Sequence, residues 1–271
     1  MTTDTPYVRA SRDKHVLTLV LDDPATKNAL TAGLAAELRA QLDAAREDRS
    51  IRAIVLRGAN GAFCAGADLK GALADLAAPA AQGEADPVYR ANRAGGALFS
   101  ALNSQPQTVI AVVQGPAFGG GFGMVCCADV VLATPAARFA LSETSLGIPP
   151  AQIAPYVVAR LGLARARRLA LTGSRIDGSE AARIGLADLV FEDAGELEAA
   201  LRGILNDIGR CAPKALAVTK ELIMASGGGV ASDMLDRAAA AFTGCIRGAE
   251  GSEGIAAFNE KRPAAWVEKI A

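Results

Sequence analysis

Apolar positions fall into two alternating kinds of run. Residues 16–21, 53–57, 109–113, 129–132 and 188–191 are short, rich in β-branched residues and bounded by polar or glycine-bearing segments, which predicts strands. Between the first two, Leu30, Leu34, Leu38 and Leu42 recur four apart while Glu37, Arg39, Gln41 and Asp43 face elsewhere, the stripe of an amphipathic helix. Strand, helix, strand then recurs, so a mostly parallel α/β core is expected. The apolar stretch 117–133 contains glycines and Asp129 and reads as a buried helix running into a buried strand rather than a membrane span. From about Gly195 the strand signal stops. Residues 213–225, 231–246 and 250–267 read as helices separated by glycine clusters, with more apolar surface than one helical hairpin hides, which predicts packing on the core or on another subunit. The chain thus divides into a core over 1–195 and a helical region over 196–271. Residues 71–96 are rich in alanine, glycine and proline and then charged, the pattern of a loop, either a solvent-exposed insertion or a lid beside a pocket. Tyr89, Arg90 and Arg93 are its candidates for contact with a polar or anionic substrate tail.

With 271 residues and 51% hydrophobic content the chain can bury one large core. Its 28 basic and 29 acidic residues nearly cancel, which removes the electrostatic footprint of nucleic-acid or anionic-membrane binding and leaves a small-molecule enzyme as the expectation. Five cysteines without a CxxC pair argue against a disulfide framework and a zinc site, and the N-terminus lacks a signal-peptide apolar segment, so the chain reads as cytoplasmic. The lone histidine, His15, reads as a surface or strand-edge residue. Its isolation disfavours histidine-dependent triads and metal sites, and no GxSxG, P-loop or HExxH motif is present.

Two glycine-bearing turns carry the candidate chemistry: FCAGADLK at 63–70 and GPAFGGGFG at 115–123, the second opening a helix. Each follows an apolar strand and lies at its carboxyl end, where open α/β sheets bind ligands. Small residues let a ligand oxygen approach the backbone, and a helix N-terminus favours negative charge, so two such turns can aim N–H groups at one oxyanion. Either alone is an ordinary tight turn. Together with PATKNAL at 24–30, VIAVVQGPAFGGG at 109–121, Asp129, ARFALSETSLGI at 137–148 and AFNEKR at 257–262, they resemble the crotonase, or enoyl-CoA hydratase/isomerase, family along essentially the whole chain.

The resemblance implies the crotonase (ClpP-like) spiral of repeated ββα units with a C-terminal helical trimerisation region, and assembly as a homotrimer or dimer of trimers. It implies an acyl-CoA substrate whose thioester oxygen is held by the N–H groups of Ala67 and Gly120. Ala65, Asp68, Leu69 and Lys70 would line the nucleotide side, with Lys70 near the phosphates, while Phe258 and Lys261 would reach CoA from a neighbouring subunit. No cofactor is implied, since coenzyme A enters with the substrate. Well-known hydratases of the family carry two glutamates; the second is matched by Glu143, but the first falls on Gly123. Cys126 and Cys127 read as core residues of the helix after the glycines. The resemblance narrows, through GGGFG and the segment at 146–162, to the methylglutaconyl-CoA and isohexenylglutaconyl-CoA hydratase branch. Hydration of a branched or carboxylated 2-enoyl-CoA is expected, with Glu143 positioning water and the missing acid replaced by Glu84, Asp86 or the substrate's own carboxylate, and with Arg90 or Arg93 anchoring the tail. Double-bond isomerisation by Glu143 alone and non-catalytic acyl-CoA binding are the alternatives.

Overall fold

A computed structural model describes residues 6–68, 86–226 and 232–270. In chain order its strands are β1 (Val8–Asp13), β2 (Val16–Leu21), β3 (Ala53–Gly58), β4 (Thr108–Val113), β5 (Pro116–Phe118), β6 (Val130–Ala133), β7 (Arg138–Ala140), β8 (Arg175–Asp177) and β9 (Leu189–Val190). Its helices are α1 (Ala32–Glu47), α2 (Pro87–Asn103), α3 (Gly120–Cys127), α4 (Ala154–Thr172), α5 (Gly178–Ile184), α6 (Ala194–Gly209), α7 (Pro213–Ala225), α8 (Ser232–Ile246) and α9 (Ala249–Asn259). The main sheet has the order β1-β2-β3-β4-β6-β9 and is parallel except for the edge strand β1; a second sheet has the order β5-β7-β8.

The alternation along β3 explains the layering. Ile54 and Leu56 enter a core shared with Leu34, Leu38 and Leu42 of α1 and Leu98, Phe99 and Leu102 of α2. Ala53 and Val55, pointing the other way, meet Leu197, Leu201, Leu205 and Ile208 of α6. Both faces of the sheet are therefore covered, which is why its strands read as continuous apolar runs. Burying the three α1 leucines contributes roughly 5 kcal/mol or more, against a few tenths from the exposed Arg39–Asp43 pair on the same helix.

All five expected strands are present, within a residue or two at their ends. Three expectations are corrected. Leu30 leaves the helical ladder, because Thr31 caps α1, its hydroxyl accepting from the Leu34 N–H at 3.2 Å. The expected loop at 71–96 is helical from Pro87: Asp86 accepts from the Val88 N–H at 2.7 Å, and proline at the first helical position suits its fixed φ. The expected helix over 250–267 ends at Asn259, where Lys261 turns to φ +54 and Pro263 follows.

The last helices are tied to the core at named points. Lys220 of α7 bonds Asp129 at 2.7 Å. The Glu250 carboxylate caps α7, accepting from the Lys214 N–H at 3.0 Å and the Ala215 N–H at 3.3 Å. Arg52, 5% exposed at the start of β3, donates to the carbonyls of Ile208, at 3.2 Å, and Cys211, at the end of α6. Ile223, Leu235, Phe242 and Phe258 face outward from this region. Helix α4 is broken at Gly162, where φ is 73° and ψ 160°. Among the described residues, no helix is long and apolar enough to cross a membrane and no cluster of His, Cys, Asp or Glu fits a metal.

Candidate active site

The two turns are laced to each other by backbone bonds. Cys64 pairs with Ala117 as a short parallel bridge, its N–H donating to Pro116 O and its carbonyl accepting from the Phe118 N–H, both at 3.0 Å. On the other side the Leu30 N–H donates to Gly66 O at 2.8 Å. Leu30, displaced from the helix, thus holds the first turn in place. Gly66 has φ +102, and a Cβ there would lie 3.0 Å from Phe118 O. Gly119, with φ 47° and ψ −115°, ends β5 and begins α3; its N–H donates to Ala140 O and its carbonyl accepts from the Gly123 N–H, both at 3.0 Å. At both, the positive φ and the tight space favour glycine, and the two glycines lie against each other, just before Ala67 and Gly120 in the chain. Among the described residues, neither the Ala67 nor the Gly120 N–H donates to a protein acceptor. A donor at the amino end of α3 and another on the neighbouring turn can together stabilise an anion.

Glu143 enters from the second sheet. β5 and β7 run parallel, so the glycine turn after β5 and the Ser142–Glu143 segment after β7 emerge at the same end. The Glu143 carboxylate lies over Gly119, with Oε1 3.1 Å from the position of a Cβ there. Oε2 is buried and has no hydrogen-bond partner among the described residues. Burial pushes the Glu143 carboxyl above its ordinary range. Ser142 makes no side-chain cap to the short 3-10 turn that begins at Glu143, so the carboxylate is not a capping partner. A buried, unpartnered carboxylate oxygen beside the glycine turn marks a candidate acid/base position.

The remaining wall is apolar. A Cβ on Gly120 would lie 2.6 Å from Leu30 Cδ1 and 3.5 Å from Phe99 Cζ, and one on Gly123 would lie 2.3 Å from Ile153 Cγ2 and 3.3 Å from Phe99 Cε1. Position 123, where the family's other glutamate would stand, is covered by Ile153. Tyr156, one turn further along α4, packs on Phe99 with ring centroids 6.4 Å apart; burial raises its phenol pKa, opposed by a bond to Ser100 and the charge of Arg93. Cys126 and Cys127 are buried in the core, as expected, and burial of both thiols pushes their pKa up.

Other expected residues are less gathered. Ala65 lies on the first turn, its N–H donating to Lys27 O at 3.1 Å, and Asp68 is partly exposed beside it. Leu69, Lys70 and Glu84 lie outside the described residues. Tyr89, Arg90 and Arg93 lie on the exposed part of α2, and Asp86 Oδ1 accepts from the Val88 and Tyr89 N–H groups at its start. Phe258, 84% exposed on α9, and Lys261 beyond it belong to the helical region and do not join the turns within one chain. Phe99, Ile153 and Tyr156 were not singled out from sequence, and Leu30 was read only as part of the helical stripe. Two signals could have found them: the N-cap at Thr31, which frees Leu30, and the Asp86–Pro87 helix start, which carries Phe99 to the glycines.

A family model described as enoyl-CoA hydratase/isomerase matches residues 11–269. The crystal structure of an enoyl-CoA hydratase/isomerase from Marinobacter aquaeolei is similar at 42% identity and TM-score 0.92, covering 97% of this chain and 99% of its own. That of Pseudomonas aeruginosa AtuE is similar at 46% identity and TM-score 0.91, covering 97% and 100%. The 2,3-dehydroadipyl-CoA hydratase of Escherichia coli is 33% identical over 253 residues, 93% of this chain and 95% of that protein. The fold is that of the crotonases, and the chain belongs to the enoyl-CoA hydratase/isomerase family.

Proposed function

We propose that this enzyme hydrates a 2-enoyl-CoA, branched or carboxylated in its acyl part, with Glu143 as its one acid/base residue. The observation that carries the reading is the buried, unpartnered Glu143 Oε2 beside the unused Ala67 and Gly120 N–H groups. Glu143 takes a proton from water as the water oxygen bonds to C3. The C2–C3 π electrons pass into the thioester carbonyl, and the resulting enolate oxygen accepts from Ala67 and Gly120. Each such donor is worth about 3–4 kcal/mol in the transition state. C2 then takes the proton from the Glu143 carboxylic acid, and the carbonyl re-forms, so water has been added and the carboxylate restored.

A carboxylated acyl tail is anchored in this reading by Arg90 or Arg93, cations on the exposed part of α2. The relative named for 2,3-dehydroadipyl-CoA, the thioester of a dicarboxylic acid, supports that class, and the resemblance at 146–162 supports a glutaconyl-type substrate. Ala65, Asp68, Leu69 and Lys70 bind the CoA nucleotide, and Phe258 and Lys261 complete its site from a second subunit of a trimer or dimer of trimers. The exposed apolar side chains of α7 to α9 support such an assembly. No cofactor beyond the coenzyme A of the substrate takes part, and the enzyme works in the cytoplasm. A panel of enoyl-CoAs, including 3-methylglutaconyl-CoA and a 3-enoyl-CoA, tests the reading. Loss of the conjugated thioester band from 2-enoyl substrates is expected. Its appearance from the 3-enoyl substrate alone means isomerisation, which the single carboxylate also permits.

A further inference from the structure

Resting on the enoyl-CoA reading, we infer that Ile153 is the residue that determines acyl-chain specificity: with Phe99 it fills the space a side chain at 123 would need and forms the apolar wall beside Glu143. Its Cγ2 and Cβ lie 2.3 and 2.9 Å from the Cβ position of Gly123. Rotation about χ1 moves the first but not the second, so a change of rotamer cannot make room and Gly123 and Ile153 are a matched pair. Gly119, four residues before Gly123 and bonded to it, lies under Glu143 Oε1. Glu143 Oε1 therefore lies over the residue that caps α3, and Ile153 over the residue four positions on whose N–H bonds that cap. An acyl chain whose C2 and C3 face the carboxylate must pass its next carbons or its branch against Ile153. Ile153 is itself fixed: it is buried, and its carbonyl accepts from the Val157 N–H at 3.0 Å. The pocket wall is thereby set by the residue that caps α4, not by one of the glycine motif.

The test compares kcat/KM for an unbranched 2-enoyl-CoA and its 3-methyl counterpart in the parent, Ile153→Val and Ile153→Ala. Removing carbon from a hydrophobic pocket changes discrimination by about 10-fold or more. The Ile153→Ala ratio is expected to move toward the branched substrate by that factor, and the Ile153→Val ratio by less. Because both substrates meet the same preparation, loss of folded enzyme cancels from the ratio. In a second arm, Gly123→Ala is expected to lower kcat/KM and Gly123→Ala with Ile153→Gly, which removes both clashing atoms, to recover it. Turnover with an unchanged ratio, or independent effects of the two substitutions, overturns the inference. Absence of turnover by the parent on every enoyl-CoA overturns the enoyl-CoA reading itself.

Discussion

Replacing Glu143 by glutamine separates rate from stability, with opposite signs. The amide keeps the size of the side chain but cannot take a proton from water. Proton transfer by a positioned group contributes about 10²- to 10⁴-fold, so kcat/KM falls by that factor, or roughly 3–5 kcal/mol. Stability moves the other way. Oε2 is buried and unpartnered, and an unmet buried acceptor costs about 1–3 kcal/mol, more when charged. Since Glu143 is only half buried, solvent screens part of this and about 1 kcal/mol is the expected gain, or roughly 2 °C in Tm for a chain of this size at fixed protein concentration. The pH dependence follows from the raised carboxyl pKa. The folded protein binds this proton more tightly than the unfolded chain. The contribution of Glu143 to stability is therefore full below its ordinary value of 4.5 and is lost as pH rises through the folded pKa. The variant's advantage is present at neutral pH and shrinks toward 4.5, while parental turnover falls on acidification through that same raised pKa. Thermal melts across this range, with turnover at neutral pH, check both halves. An E143Q variant that keeps most of the hydration rate, or that melts at or below the parent at neutral pH, refutes the reasoning.

Gly119→Ala forces a side chain into a backbone with φ 47° and toward Glu143 Oε1 at 3.1 Å, so kcat/KM falls about 100-fold through misplacement of the carboxylate; steady-state kinetics within tenfold of the parent would count against it. Arg52→Met strips the donor from the Ile208 and Cys211 carbonyls and lowers stability by about 3 kcal/mol. The urea midpoint measures this loss, and kcat/KM of the folded fraction stays unchanged. Arg93→Ala lowers kcat/KM about tenfold for acyl tails with a distal carboxylate and leaves neutral tails unaffected. Equal losses on both would dismiss the tail contact.

The parallel sheet was legible because β2, β3 and β4 are largely buried and are mostly apolar and rich in β-branched residues. The two turns were legible because glycine is required there by geometry. β1 was not, since five of its six residues are exposed and nothing alternates. β5, β7 and β8 are three residues each, too short for a period, yet they bring Glu143 to Gly119. The vacancy at Gly123 was readable from sequence, but its filling was not, because Ile153 approaches from thirty residues away across a fold contact. The alanine-rich composition before Pro87 outweighed the Asp86–Pro87 start signal, and with it the route by which Phe99 reaches the glycines.

The break at Gly162 divides the labour of α4. The segment before it carries Tyr156 and is preceded by Ile153, which packs on Gly123; the segment after it supplies Ala170 O, which accepts from the Thr144 hydroxyl at 2.9 Å and steadies the turn bearing Glu143. A continuous helix would move as a rod, so that a bulkier substrate pressing on the wall would tilt the carboxylate out of line. The non-helical backbone at Gly162 lets the two segments of α4 take different directions, so the side chains that pack on Gly123 and the carbonyl that steadies the Glu143 turn are placed separately.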